Sequence, residues 1–255
     1  MSDNASVMSD NASVTHFGYR TVPVPEKKGL VRGVFDSVAS RYDLMNDLMS
    51  LGIHRVWKRI FVNTLAPQPR MRLLDLAAGT GDIGFLALDR GVGSVLFADL
   101  TEAMLRIAEE RAVAKGVVGR CEFLVADAEA LPLPEASFDA VTIAFGLRNC
   151  TDIDAVLREA RRVLRPGGRF LCLEFSQVSI PPLRRLYDAY SFTVLPLLGR
   201  LVARDEGAYR YLAESIRRFP AQAELAERMR AAGFGRVSWR DLSAGVAAIH
   251  SGWRL

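Results

Sequence analysis

The sequence predicts an α/β protein with a mostly parallel sheet and helices on both of its faces. Three observations carry that expectation. After Pro67 and Pro69, short apolar runs alternate with amphipathic helices in a regular rhythm. The runs are almost continuously apolar, as strands are when helices cover both faces of their sheet. And the first run leads through small residues, Ala77-Ala78-Gly79-Thr80-Gly81, straight into a helix.

In chain order, residues 1–16 are expected to be a disordered tail. They begin with MSDNASV twice over, a polar segment without arginine that fits neither a signal peptide nor a transit peptide. Residues 17–255 are expected to form a single domain. Within it, 29–66 reads as N-terminal helices, with Val34, Val38, Tyr42, Val56 and Ile60 at helical spacing. Strand candidates follow at 72–76, 94–99, 121–127, 138–145 and 169–174. Thr101 is placed to cap a helix burying Met104, Ala108 and Ala112. Thr151 or Asp152 is placed to cap another, with Ile153, Val156, Leu157, Ala160 and Leu164 on its apolar stripe and Pro166-Gly167-Gly168 as its stop. The rhythm is lost over 177–219, which reads as an Arg-rich and aromatic helical insertion. A helix at 222–232 and two strands at 237–242 and 246–253 close the chain, the last two spaced to pair as a hairpin.

Composition narrows the class. Half of the 255 residues are hydrophobic and 24% are charged, ordinary for a globular enzyme. The net charge of +4 permits attraction to anionic surfaces without demanding it. Cys121, Cys150 and Cys172 lack metal-ligand spacing and read as reduced thiols of a cytoplasmic protein. Residues 191–203 are too short and too interrupted to span a bilayer. No face combines basic and aromatic residues as a nucleic-acid site would.

The chemistry concentrates at strand ends. Gly79-Thr80-Gly81-Asp82-Ile83-Gly84 fits GxGxxG, a pattern of dinucleotide enzymes that is weak by itself. Asp75, four residues before the first of these glycines, would repel a pyrophosphate and suit a cationic ligand. Asp99 ends the second strand and can accept from both ribose hydroxyls. Asp127 ends the third and is placed to accept from an adenine amino group. Three acids in register on consecutive parallel strands describe a site for a cationic nucleoside.

This arrangement resembles the class I S-adenosyl-L-methionine methyltransferases. The resemblance implies a Rossmann-like, seven-stranded sheet whose last strand is antiparallel. It assigns Asp75, Gly79, Thr80 and Gly81 to the methionine part of the cofactor, Asp99 to the ribose, and Asp127 with Ala128 to the adenine. Further segments are similar to the ubiquinone/menaquinone biosynthesis C-methyltransferases. They are Tyr42-Asp43-Leu44-Met45-Asn46 with Ser50, His54 and Trp57; Phe145-Gly146-Leu147-Arg148-Asn149; residues 162–176 around Arg165-Pro166-Gly167-Gly168; Tyr187-Asp188-Ala189-Tyr190; and Tyr209-Arg210-Tyr211-Leu212. Two positions depart from that pattern. Arg165 replaces a common Lys, and Ala144 stands where a serine that contacts cofactor is common.

That second resemblance implies methylation of a ring carbon in a polyprenyl benzoquinol or naphthoquinol. Forming a phenolate at pH 7 from a hydroxyl of pKa about 10 costs roughly 4 kcal/mol. Arg148 is the expected phenolate stabiliser, with a structural ion pair as its other reading. His54, Asp188 and Asp43 are candidates for proton removal. The segment 183–203 reads either as a helical lid or as a prenyl-tail groove touching an anionic membrane surface from the cytoplasmic side. Other hydrophobic phenols or sterols, and a non-catalytic cofactor-holding subunit of a quinone-synthesis complex, are the alternatives. A homodimer is compatible with all of these.

Overall fold

The computed structural model describes residues 14–38, 52–178 and 206–255. Strands β1 (Val14–Phe17) and β2 (Arg20–Pro23) form an antiparallel hairpin, followed by helix α1 (Val24–Val38). Residues 14–16, expected in the tail, are therefore paired, with Val14 opposite Pro23 and His16 opposite Thr21. Gly18 turns the hairpin at a φ of 60°, a conformation that favours glycine. Pro25 and Glu26 in the first turn of α1 suit a helix start, five residues earlier than helical spacing had predicted.

The remainder is built on α2 (His54–Leu65), β3 (Arg72–Leu76), α3 (Asp82–Asp89), β4 (Ser94–Asp99), α4 (Glu102–Lys115), β5 (Cys121–Val125), β6 (Phe138–Ala144), α5 (Ile153–Val163), β7 (Leu164–Phe175), α6 (Glu206–Arg218), α7 (Gln222–Ala231), β8 (Gly235–Leu242) and β9 (Ala247–Trp253). Seven strands form one sheet in the order β5-β4-β3-β6-β7-β9-β8. The neighbours from β5 to β7 are parallel, and β9 runs antiparallel to both β7 and β8. The final strand is thus antiparallel, as expected, but lies inside the sheet. Burial explains why: all of β9 except Trp253 is buried, whereas β8 is mostly exposed and takes the edge.

From β3 the chain moves outward through β4 and β5, then crosses back to β6 on the other side. The switch point between β3 and β6 opens a crevice at the carboxyl ends of the strands, where open α/β sheets bind ligands. Two apolar layers hold the sheet. One packs Trp57 and Phe61 of α2, Phe85 of α3 and Leu105 of α4 against Phe97 and Phe175. The other packs Val156 and Leu157 of α5 and Met229 of α7 against Leu74, Phe138 and Phe170.

Helix α5 ends at Val163, before Pro166-Gly167-Gly168, and Asp152 caps its start by accepting from the Ala155 N–H at 3.0 Å. Leu164 has already joined β7, paired with Phe138. The Pro-Gly-Gly turn then locks to the C-terminus: Gly167 N–H donates to the Arg254 carbonyl, and Arg254 N–H to that of Gly168. Thr101 precedes α4 without a side-chain cap bond. Residues 179–205, most of the expected insertion, lie outside the described residues. Among the described residues no helix is long and apolar enough to cross a membrane.

Candidate active site

The loop after β3 is shaped by three left-handed residues, Ala77 at φ 48°, Gly79 at 55° and Gly81 at 88°. The third glycine of the pattern has a different task. A Cβ on Gly84 would lie 2.1 Å from the Phe97 ring, so glycine lets α3 press onto β4. Asp75, 1% exposed, braces this loop from below. It accepts from Thr142 Oγ1 at 2.8 Å and from the Gly84 N–H at 3.1 Å. Burial pushes its carboxyl up to about 7, against these two hydrogen bonds, which favour the ionised form. Asp75 also lines a small inner cavity with Lys58, Thr80, Asp82 and Ala144. No hydroxyl is available at Ala144.

Asp99 lies at the end of β4. One carboxylate oxygen accepts the Gly79 N–H and the other the Thr101 N–H, both at 2.8 Å. Burial raises its carboxyl above the usual range. Asp127 falls two residues beyond β5, which ends earlier than expected. Its carboxylate meets Lys28 Nζ at 2.5 Å and accepts the Glu129 N–H at 2.9 Å. Asp99 and Asp127 open on one cavity, lined also by Gly79, Met104, Ala128 and Asn149. A Cβ at Gly79 would meet no protein atom within 4 Å, so the wall there borders open space. Carboxylates at one end and small apolar residues beside them fit the ribose hydroxyls and flat base of a nucleoside.

Three residues with no clear sequence signal complete the inner end. Asp82, in the first turn of α3, is held by Lys58 at 2.6 Å and by Arg111 at 2.7 Å. Burial opposes its ionisation, yet these two cations hold the carboxyl down to about 2. Arg111 also donates to the carbonyl and hydroxyl oxygens of Thr80. Lys58 comes from α2 and Arg111 from α4, so only folding brings them together.

The loop after β6 crosses the glycine loop closely: a Cβ on Gly146 would lie 2.4 Å from that of Ala77. Arg148, on the short segment after β6, points inward. Its guanidinium donates to Glu174 at 2.7 Å and to the Phe145 carbonyl at 2.5 Å, with the two charged side chains 2% and 1% exposed. Burial raises the Glu174 carboxyl and Arg148 opposes that rise. The geometry realises the ion-pair reading of Arg148, because a buried cation takes the carboxylate that neutralises it. His54 is buried at the start of α2, one turn from Lys58, and lines neither cavity. Asp43 and Asp188 lie outside the described residues.

The model of the ubiE/COQ5 methyltransferase family matches residues 22–254. The ubiquinone/menaquinone biosynthesis C-methyltransferase UbiE of Acidiphilium cryptum is 59% identical over 249 residues, covering 97% of this chain and all of that protein. The protein of the same name from Paracoccus denitrificans is 55% identical, over 96% of this chain and 99% of its own length. Among solved structures, a SAM-dependent methyltransferase of Thermotoga maritima, a possible histamine N-methyltransferase, aligns with a TM-score of 0.64 at 21% identity. It covers 88% of this chain and all of its own. Phosphoethanolamine N-methyltransferase 2 of Haemonchus contortus, solved with S-adenosyl-L-methionine, aligns at 0.58 and 15% identity, over 78% of this chain and 52% of its own. The two structural likenesses establish the methyltransferase fold, and the near-complete match in sequence goes further: the chain belongs to the ubiE/COQ5 methyltransferase family.

Proposed function

We infer that this chain is an S-adenosyl-L-methionine-dependent C-methyltransferase acting on the ring of a polyprenylated quinol in ubiquinone or menaquinone biosynthesis. Membership of the family supports the reaction. The observation that carries the cofactor is Asp99, its carboxylate oriented by Gly79 and Thr101 at the wall of a cavity that Asp127 and Ala128 also line. When bound, S-adenosyl-L-methionine supplies a sulfonium-activated methyl group for in-line transfer to a nucleophilic carbon.

The chain's own residues divide the work. Asp99 accepts the ribose hydroxyls, and Asp127 with Ala128 holds the adenine. The loop of Gly79, Thr80 and Gly81, braced by Asp75, faces the methionine part. Excluding water from the crevice strengthens each of these contacts. Arg148 serves as a positioning residue: paired with Glu174, it pins the loop after β6 where that loop crosses the glycine loop. We assign removal of the acceptor proton to Asp188, since His54 is buried and lines neither cavity. The acceptor is membrane-borne, so we place the protein in the cytoplasm, working at the inner face of the membrane.

The test is to give purified protein S-adenosyl-L-methionine and short-chain benzoquinol and naphthoquinol analogues, and to analyse products by mass spectrometry. A ring gaining one methyl group on carbon is the expected result. Cofactor binding without a methylated quinol would leave a non-catalytic subunit, and methylation of sterols or simple phenols alone would move the acceptor class.

A further inference from the structure

One wall of the cofactor cavity belongs to α1, through Lys28, Val31 and Arg32 on a single helix face. Two adjacent lysines secure that wall. Lys28 Nζ lies 2.5 Å from the Asp127 carboxylate and 2.9 Å from that of Glu129. Lys27, buried, donates to the Cys150 carbonyl at 2.7 Å. Glu129 in turn accepts the Thr151 N–H at 2.5 Å and the Asp152 N–H at 3.2 Å. The loops after β5 and β6 are thereby tied to each other and to the helix above them. A longer path leads to the same cavity. Phe17 stacks on Tyr211 at 4.1 Å, and Tyr211 donates its hydroxyl to Asn149, a cavity residue, at 3.0 Å.

Two carboxylates sharing one cation explain the placement. Asp127 and Glu129 side by side would repel each other, and the ammonium between them removes that penalty and fixes the direction of Asp127. In the open cavity the side chains of Lys28 and Asp127 are 38% and 29% exposed, so water weakens the pair. A nucleoside filling the cavity excludes that water and strengthens it.

We propose that Lys28 is a positioning residue for the cofactor, orienting Asp127 toward the base and seating α1 as the wall of the cavity, so that nucleoside binding and docking of α1 are one coupled event. The proposal rests on the assignment of this cavity to S-adenosyl-L-methionine. Its test compares wild type, Lys28→Met and Lys28→Arg in the full chain, using S-adenosylhomocysteine as the probe in calorimetry. Hydrogen exchange of residues 24–38 and the melting temperature of the free protein are followed alongside.

Lys28→Met should weaken binding by about tenfold, as loss of a charge-assisted contact does. Its melting temperature without ligand should stay close to wild type, because a half-exposed pair adds little to folding. Ligand-induced protection of α1 should shrink with the affinity, and Lys28→Arg should restore both. In turnover, the cofactor KM should rise with a much smaller fall in kcat. Wild-type affinity and full α1 protection in Lys28→Met would overturn the coupling while leaving the cofactor assignment standing. No binding of the probe by wild type would overturn that assignment, and the coupling with it.

Discussion

The loops after β3 and β6 meet at the switch point, and both begin with a residue in the left-handed region, Ala77 at 48° and Phe145 at 56°. Beyond that they diverge. The first turns its backbone and the acids of neighbouring strands around an open cavity. The second sends its charge inward, where Glu174 meets Arg148 at 2.7 Å with both side chains buried. A charged residue at the carboxyl end of a strand is therefore not automatically part of the site. What decides is where its charge is answered: by backbone N–H groups at the wall of a cavity for Asp99, by a buried counter-charge for Arg148.

The largest effect should come from breaking the inward loop. Arg148→Met leaves Glu174 buried and unpaired, a loss of about 3–5 kcal/mol of stability. For a chain of this size that is a fall of roughly 10 °C in Tm, measurable by calorimetry. Replacing Glu174 by leucine in the same variant should recover most of the loss, since removing both charges leaves none stranded. Arg148→Met with an unchanged Tm and no turnover would instead put the guanidinium in front of the acceptor, and the contrast between the loops would fail.

Next in size is the outward loop. Asp99→Ala should weaken S-adenosylhomocysteine by about 2–4 kcal/mol, through two hydroxyls losing a charge-assisted acceptor. Titration calorimetry reads this directly, and a loss under threefold would remove Asp99 from the ribose site. Together the two variants sharpen the comparison, one moving stability and the other affinity.

Smallest per unit of pH is the effect of Asp75, beneath the crossing. Its carboxyl is raised from 3.8 to about 7 by burial. Between those values the native chain keeps a proton that the unfolded chain has released. Stability from this group is thus fully present below pH 4 and is lost as pH rises toward 7, by about 1 kcal/mol per unit. Asp75→Asn should flatten that slope in Tm measured from pH 4.5 to 7. An unchanged slope would mean that Asp75 is ionised in the folded chain.

Much of the candidate site was legible because its members sit at fixed places in a repeating pattern. Asp75, Asp99 and Asp127 each lie at or just past an apolar run, and Gly79 and Gly81 stand where the chain must turn tightly. The charged cross-links were not legible. Lys58, Asp82 and Arg111 converge from three helices, and Lys28 reaches Asp127 across 99 residues. Nothing local distinguishes them from solvated surface charges. The hairpin over 14–23 was missed for a related reason: two four-residue strands carry too little alternation to stand out beside a polar tail.

By itself the sequence determined the layered fold, the order of most elements and the identity of the strand-end acids, because apolar period, glycine conformation and helix punctuation act over a few residues. Tertiary structure alone decided which charges face the crevice and which are buried against one another. It turned Arg148 toward Glu174, placed β9 inside the sheet and laid α1 along the cavity of Asp99 and Asp127. The physical reason is that a charge costs least where its partner is, and partners distant in the chain are chosen only once the core has set the distances between them.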